Sequence, residues 1–310
     1  MRVANLQSES ALVCADAAPL TEAELAERGR SARMRRPYAL AVYTAVLVLF
    51  VGAGLFAPLI APYDPAAQKL VNRLHPPVWQ AGGAWAHPLG TDSLGRDELS
   101  RLMYGARISL IVVAVSVPAS VVLGTLLGLL AGYRSRTVGV LLMRLVDVQL
   151  ALPPILFAIL LAAVLGPSLR NVLIVIVGWG WVGYARIVRG ETLGLRERDF
   201  VLAARAVGAG DVWIVRRHLL PNLVNTVTVL ATLHISTVIL IEAALSFLGV
   251  GVPVTTPSWG TMVSGGNNFI TVAWWLVTLP GLAIVTVSLV ANLFGDWLRD
   301  ALDPRLRHLR

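Results

Sequence analysis

One acidic residue stands inside a long apolar run and is the first candidate for chemistry in this sequence. Glu242 lies within residues 223–248, where its nearest neighbours are Ile, Leu and Ala. A charged carboxylate is costly in hydrocarbon, so this side chain is expected either to serve a function, such as carrying a proton, or to be hydrogen-bonded by neighbouring helices. The sequence leaves both interpretations of Glu242 open.

Two further ionisable residues, Arg144 and Asp147, stand where another apolar run begins. They are three residues apart, so a helix places them on one face, where pairing lowers the cost of burying them. Together with Glu242 they form the predicted intramembrane polar site.

Signatures of the common catalytic and metal-binding sites are missing from the 310 residues. The phosphate-binding loop of ATPases needs a Gly-Lys pair, but the single lysine, Lys69, follows Gln68. No H-E-x-x-H, C-x-x-C or G-x-S-x-G pattern occurs, and the lone Cys14 excludes a disulfide framework within the chain. We therefore predict that the chain is not an enzyme and binds no metal or other cofactor itself.

Long apolar segments must position these residues. Hydrophobic residues make up 56% of the chain, charged residues 14%, and the mean hydropathy is +0.71. These values are typical of a protein embedded in lipid. A helix needs about 20 apolar residues to cross a bilayer core of roughly 30 Å. The sequence predicts six such helices, at about residues 39–60, 108–131, 145–165, 171–188, 223–248 and 274–295.

The basic residues are unevenly distributed between the segments that connect these helices. Twenty of the 26 Lys and Arg residues fall in residues 1–36, 132–144 and 186–217 and at the C-terminus, and six fall on the opposite side. By the positive-inside rule, both termini are predicted to be cytoplasmic. We predict a cytoplasmic tail at 1–36 and a transmembrane domain at 37–310. This topology accounts for the net charge of +8, so nucleic acid is not a predicted partner.

The predicted outer loop, residues 61–107, ends in a segment with helical periodicity. An apolar stripe is formed there by Leu99, Leu102, Met103 and Ala106. Glu98 and Arg101 lie off this stripe. The pattern predicts a short amphipathic helix along the outer membrane interface.

Small residues and prolines predict how two of the spans pack and bend. Gly124, Gly128 and Gly132 recur every four residues, which lets a second helix approach closely. Pro153 and Pro154 remove two backbone donors from the third span and are expected to bend it.

A basic segment at residues 199–222, here called the elbow, separates two apolar runs. It is predicted to contain two short helices, capped by Asp199 and Asp211, with a break at Gly208 and an end at Pro221. An angled pair of helices with small side chains suits docking into a groove on another protein. A DNA-binding helix-turn-helix has a related pattern, but the elbow is too short and too close to the membrane to form such a domain.

The elbow resembles the cytoplasmic coupling loop of ABC-transporter permease subunits, whose pattern is Glu-Ala-Ala, three residues, Gly, then an apolar residue near Leu-Pro. Leu202 stands where that pattern has Glu, and the matching residues are Ala203, Ala204, Gly208, Leu220 and Pro221. Over roughly residues 87–307 the chain is similar to the dipeptide, oligopeptide and nickel subgroup of these permeases. The stretches that carry this similarity include HPLGTDSLGRD, RLVDVQLALPPILFAI, EAALSFLGVG and PGLAIVTVSLVANLFGDWLRDALDPRLR.

The resemblance implies an all-α, polytopic membrane protein with six transmembrane helices and the type I ABC importer permease fold. It implies a homologous second permease, two cytoplasmic subunits that bind ATP and Mg, and an extracytoplasmic solute-binding protein as partners. Residues expected at the ATPase interface are Ala203, Ala204, Arg205, Gly208, Ala209 and Asp211.

The expected cargo is a dipeptide or oligopeptide, with nickel or another solute as the alternative within this family. A different alternative is an ion-coupled carrier that uses Glu242 as its proton site and works without an ATPase.

Overall fold

The computed structural model describes residues 22–133 and 136–302. Their regular structure is helical, with no strand among them, which confirms the predicted all-α fold. Residues 1–21, most of the predicted tail, lie outside the described residues. The helices are α1 (Glu22–Ile60), α2 (Glu98–Tyr133), α3 (Arg136–Leu150), α4 (Pro154–Leu165), α5 (Leu169–Leu195), α6 (Asp199–Ala206), α7 (Asp211–Ile214), α8 (Leu220–Phe247), α9 (Trp259–Gly266) and α10 (Trp275–Leu302).

The chain divides into two units between Val42 and Tyr43. In the first unit the described residues belong to α1. The second unit contains the rest of α1 and all other helices.

Five stretches of the described chain are helical, long and apolar enough to cross a membrane. They are Leu40–Ile60, Glu98–Tyr133, Leu169–Leu195, Asp211–Phe247 and Trp275–Ala301. Each contains one of the predicted spans or coincides with most of it, and three of them extend well beyond the apolar run that predicts them. The chain is therefore a multi-pass membrane protein.

The sixth candidate span is broken. Thr137–Leu150 and Ile155–Leu165 meet at an angle of 90°. The predicted bend at Pro153 and Pro154 is confirmed, but the single span predicted at 145–165 is two helices rather than one. The break follows from the prolines, because neither can donate a helical hydrogen bond, while Pro154 is well accommodated in the first turn of α4.

The glycine ridge of α2 packs against α5, as predicted. A Cβ atom at Gly128 would lie 2.8 Å from the carbonyl oxygen of Ala185, and one at Gly132 would lie 2.7 Å from the Cβ of Thr192. Gly124 faces the same helix equally closely. Larger side chains would push α2 and α5 apart, so the ridge sets the distance between them.

The bundle has two ends that differ in structure. The elbow lies at one end, where α2 and α5 finish and α8 begins; we call the opposite end, with residues 61–97 and 248–274, the loop end. At the loop end, α9 starts with a capping box between Ser258 and Thr261. Trp259 follows and is buried, and its indole N–H donates to the carbonyl oxygen of Leu102 in α2 at 3.0 Å.

The amphipathic helix predicted near residue 100 is not a separate element. It forms the first turns of α2, which runs for 36 residues from Glu98. Glu98 and Arg101 are only 1% and 3% exposed, although the sequence pattern placed them off the apolar stripe. They are buried because α9 and the segment before α2 cover them, enclosing a small cavity lined also by Asp92 and Met262.

Candidate functional site

The turn of the elbow is built around Gly208. Helix α6 ends just before it, and Gly208 has φ of +85°, a conformation that is costly for residues with a Cβ atom. The N–H of Gly208 donates to the carbonyl of Arg205 at 2.9 Å, and that of Ala209 donates to the carbonyl of Ala204 at 3.0 Å. These two bonds form a Schellman motif, which satisfies the last carbonyls of α6 and turns the chain.

The predicted helix caps of the elbow are shifted by one residue. Arg198 and Gly210 occupy the N-cap positions of α6 and α7; the Arg198 side chain makes no capping hydrogen bond, and Gly210 has no side chain to make one. Asp199 and Asp211 are instead the first helical residues. Their carboxylates still face the positive ends of the helix dipoles, so both helices begin with favourable electrostatics.

Pro221 does not end the second helix of the elbow. The chain continues from α7 through a π-helical segment, Val215–Leu219, directly into α8. At its end the N–H of Leu220 donates to the carbonyl of Val215, five residues earlier. The wider turn accommodates Pro221, which has no N–H to donate. The elbow is therefore one short helix followed by the start of a long span.

The elbow is fixed to the bundle by an apolar cluster beneath it. Val201, Ala204 and Ile214 are buried there, together with Leu129 of α2 and Val188 of α5. Of the residues predicted at the ATPase interface, Ala204 therefore packs inward and supports the elbow. The others are exposed or half-buried, namely Ala203, Arg205, Gly208, Ala209 and Asp211, and Ala209 also packs against the cluster.

Large apolar side chains also face outward from the elbow, and the sequence pattern did not single them out. Val207 is 85% exposed, Val212 72% and Trp213 51%. An open cavity of about 630 Å³ is lined by Gly210, Asp211, Val212, Trp213, Arg216 and Arg217. Exposed apolar residues beside arginines form a surface suited to a protein groove that is apolar at its centre and acidic at its rim.

Tyr133, the last residue of α2, contacts both helices of the elbow. Its hydroxyl donates to Asp211 Oδ1 at 2.8 Å. The guanidinium carbon of Arg205 lies 5.4 Å from the centre of its ring, within the range of a cation–π contact. The sequence offered no signal for this residue, because its partners are more than 70 positions away.

The predicted ion pair between Arg144 and Asp147 is wrong. Asp147 Oδ1 lies 3.2 Å from a terminal nitrogen of Arg186, which belongs to α5, and Arg144 is exposed. The local spacing favoured a pair within one helix, but packing of α3 on α5 brings a closer cation to Asp147. Both partners remain about half exposed, so this ion pair contributes little to stability.

Glu242 is fully buried, one and a half turns from the end of α8. It accepts hydrogen bonds from the hydroxyl of Ser246, at 2.9 Å, and from that of Ser109 in α2, at 3.3 Å. This geometry supports the interpretation of Glu242 as a side chain held by hydrogen bonds between helices. It lies near the loop end rather than in the middle of its span.

A charged cluster that the sequence pattern missed lies at the loop end. We call it the loop-end charged cluster, and it contains His87, Asp92, Arg96, Asp97, Glu98 and Arg101. Asp92 is its centre: Oδ2 lies 2.6 Å from Nε of Arg96 and 3.7 Å from Nε of Arg101, and Oδ1 accepts two backbone N–H bonds. In residues 22–133 and 136–302, no three His, Cys, Asp or Glu side chains are grouped to hold a metal ion.

The second acid of the cluster joins the loop to the start of α2. Asp97 lies 2.9 Å from Nδ1 of His87 and accepts hydrogen bonds from both the backbone N–H and the hydroxyl of Ser100. Asp92 and Asp97 are therefore paired within the cluster, whereas Glu98 Oε1 and Arg101 Nε and Nη1 are buried without a hydrogen-bond partner among the described residues.

Comparisons with known proteins agree with this architecture. The Di/tripeptide transport system permease protein DppC of Pseudomonas aeruginosa (strain UCBPP-PA14) is 47% identical over 262 residues, covering 84% of this chain and 86% of the relative. The Dipeptide transport system permease protein DppC of Escherichia coli (strain K12) is 44% identical over 262 residues, covering 84% and 87%.

A solved chain of the MetNI methionine ABC transporter, captured in inward-facing conformations, superposes with a TM-score of 0.53. The two sequences are 19% identical, and the superposition covers 66% of this chain and 96% of the MetNI chain. At this identity the likeness concerns the fold alone. Residues 124–308 match the family described as the binding-protein-dependent transport system inner membrane component. On these matches and its helical bundle, the chain belongs to this family of ABC importer permeases.

Proposed function

We propose that this chain forms half of the translocation pathway for dipeptides or oligopeptides and couples it to ATP hydrolysis through the elbow. The peptide cargo is supported by the two relatives named for dipeptide or tripeptide transport, which match over 84% of the chain. One observation supports the coupling role. The elbow packs on α2 and α5 through a buried apolar cluster, while its other apolar and basic side chains are exposed.

The partners follow from the family and from the surfaces of the chain. A homologous second permease would cover exposed apolar faces of α2 and α8, between which lies an open cavity of about 280 Å³ lined by residues such as Val122, Leu126 and Val224. Two cytoplasmic subunits would bind ATP and Mg, and an extracytoplasmic protein would deliver the peptide.

The proposed orientation places both termini and the elbow in the cytoplasm. It is supported by the distribution of Lys and Arg, twenty of which fall on the elbow side and six on the other. In this orientation the proposed ATPase contacts are Ala203, Arg205, Gly208, Ala209 and Asp211, with Ala204 supporting them from beneath. Closure of the ATPases on ATP would push the elbow and tilt α8, with which it is continuous.

The test is the replacement Gly208→Trp in the complete complex reconstituted in liposomes. Uptake of a labelled dipeptide is expected to be lost while ATP hydrolysis and membrane insertion persist, because the bulky side chain disturbs the docked surface. Gly249→Trp is the matched control, since Gly249 is also exposed and has positive φ, +78°, but lies at the loop end. It should keep the wild-type ratio of ATP hydrolysed to peptide imported.

Three results would contradict the coupling role, and a fourth would contradict only the peptide cargo. Normal uptake by the Gly208→Trp complex would mean that the elbow does not couple ATP hydrolysis to uptake. Labelling of Ala203→Cys only from the extracellular side would place the elbow out of reach of an ATPase. Transport by the purified chain alone, driven by a pH gradient and abolished by Glu242→Gln, would favour the ion-coupled carrier. Uptake of Ni²⁺ instead of peptide would keep the coupling but change the cargo.

A further inference from the structure

We propose that Tyr133 is a positioning residue that ties both parts of the elbow to the end of α2, so that α2 moves when the elbow moves. This inference rests on the proposed function, because it concerns how work done on the elbow reaches the bundle. The elbow joins α8 directly through the backbone. Through Tyr133, α2 becomes the second helix that moves with the elbow.

The contacts of Tyr133 span the break in the elbow. Arg205 belongs to α6 and Asp211 to α7, on either side of Gly208, and both contact the one tyrosine. The hydroxyl fixes the start of α7, and the ring face receives the guanidinium of α6. A single side chain of α2 thus holds the two elbow helices at a defined angle.

Directional contacts are needed at this position because the packing beneath the elbow is apolar. Leu129, Val201 and Ile214 are buried against one another, and such contacts are non-directional, so they resist separation more than sliding. Hydrogen bonds have a narrow range of distance and angle. Next to Tyr133, Arg196 donates to the carbonyl of Gly132 at 3.1 Å, which fixes the end of α2 to the end of α5 in the same way.

The far end of α2 is also held by polar contacts. Leu102 accepts the indole N–H of Trp259 from α9, and Ser109 donates to Glu242 of α8. With 36 residues at about 1.5 Å each, α2 is a continuous helix of roughly 54 Å that reaches from the elbow to α9, with Pro118 inside it. A displacement at Tyr133 can therefore reach the loop end through one continuous helix.

The experiment measures ATP hydrolysed per dipeptide imported by the complete complex in liposomes. Tyr133→Phe removes the hydroxyl and keeps the ring that contacts Arg205. We expect the ratio to rise about threefold, a modest change because the hydrogen bond is solvent-exposed. Tyr104→Phe is the control, since this tyrosine lies on the same helix and no hydrogen bond of its hydroxyl is found among the described residues. Its ratio should equal that of the wild type.

A double variant tests whether the hydroxyl acts through Asp211. Asp211→Ala should raise the ratio, and adding Tyr133→Phe should raise it no further. A Tyr133→Phe complex with the wild-type ratio, or a further threefold rise in the Asp211→Ala background, would overturn the inference. Failure of the proposed function looks different, because the wild-type complex itself would then show no ATP-dependent uptake.

Discussion

The two ends of this membrane protein place charged side chains in opposite ways. At the loop end, Asp97, Glu98 and Arg101 are buried to 3% exposure or less and are covered by the chain's own segments. At the elbow, Val207 and Val212 are largely exposed, and Arg216 and Arg217 are exposed beside them. The loop end therefore has charged side chains inside, whereas the elbow has its arginines outside beside large apolar residues.

The difference distinguishes a part of the fold from the proposed docking surface. Buried charges must find partners within the chain, and removing one partner leaves the other uncompensated, so the loop-end charged cluster should matter for stability. Exposed apolar residues gain nothing until another protein covers them, so the elbow should matter for association and coupling. Variants at the two ends should separate these effects, and the following predictions are ordered by their expected effect on stability.

The largest loss of stability is expected from Asp92→Ala. It removes the acceptor for Arg96 and for two backbone N–H groups, and it leaves the half-buried Arg96 and the buried Arg101 without this counter-charge. Breaking a buried ion pair in this way costs about 3–5 kcal/mol. The measurement is thermal unfolding of the purified chain in detergent.

Asp64→Ala provides the control for this variant. Asp64 lies in the same loop and accepts one backbone N–H, from Ala66, but it is exposed. Its replacement should cost under about 1 kcal/mol. Equal unfolding temperatures for the Asp92 and Asp64 variants would show that the cluster is not part of the stable fold.

An intermediate effect is expected from Gly208→Ala. The positive φ of Gly208 makes an alanine there unfavourable by about 1–2 kcal/mol, even though the position is exposed. Gly210→Ala should be close to neutral, because Gly210 has φ of −72° and, its chain neighbours aside, no described residue comes within 4 Å of an added Cβ atom. The measurement is the free energy of unfolding of the two variants in detergent. Equal values would mean that the turn at residue 208 adapts to an added Cβ atom without cost.

The smallest effect on stability is expected from Val207→Asp. The side chain already faces solvent, so the isolated chain should unfold within about 0.5 kcal/mol of the wild type. Binding to the ATPase subunits should fall by about tenfold, because a charge enters the apolar part of the docking surface. Binding would be measured by titrating the purified ATPase onto the permease in nanodiscs.

Val71→Asp serves as the comparison at the loop end, where Val71 is equally accessible. It should change neither the stability of the chain nor the affinity for the ATPase. Wild-type affinity in the Val207 variant would remove this residue from the docking surface and weaken the contrast between the two ends.

Features encoded locally were predictable from the sequence. The glycine ridge of α2, the bend at the paired prolines and the turn at Gly208 each follow from a few residues and their spacing. The helical class and the approximate positions of the spans follow from apolar run length in the same way. The proposed role of the elbow came from family resemblance, because residue types alone could not indicate it.

Features that depend on distant segments were missed. The partner of Asp147 is 39 positions away, and Tyr133 meets Asp211 at a separation of 78. The burial of Glu98 and Arg101 was missed because the pattern within one helix places them off the apolar stripe and cannot show that other segments cover them. Pro221 was expected to end a helix because the π-helical turn that accommodates it depends on how the elbow and α8 are joined.

That π-helical turn also sets the rotational phase between the elbow and α8. Each residue of an α-helix turns the chain by about 100°, so one extra residue in the turn rotates everything on one side relative to the other. Deleting a single residue from Val215–Leu219 would point the elbow's outer side in a new direction while both helices stayed intact. In the proposed coupling, the direction in which this permease is pushed therefore depends on a one-residue insertion.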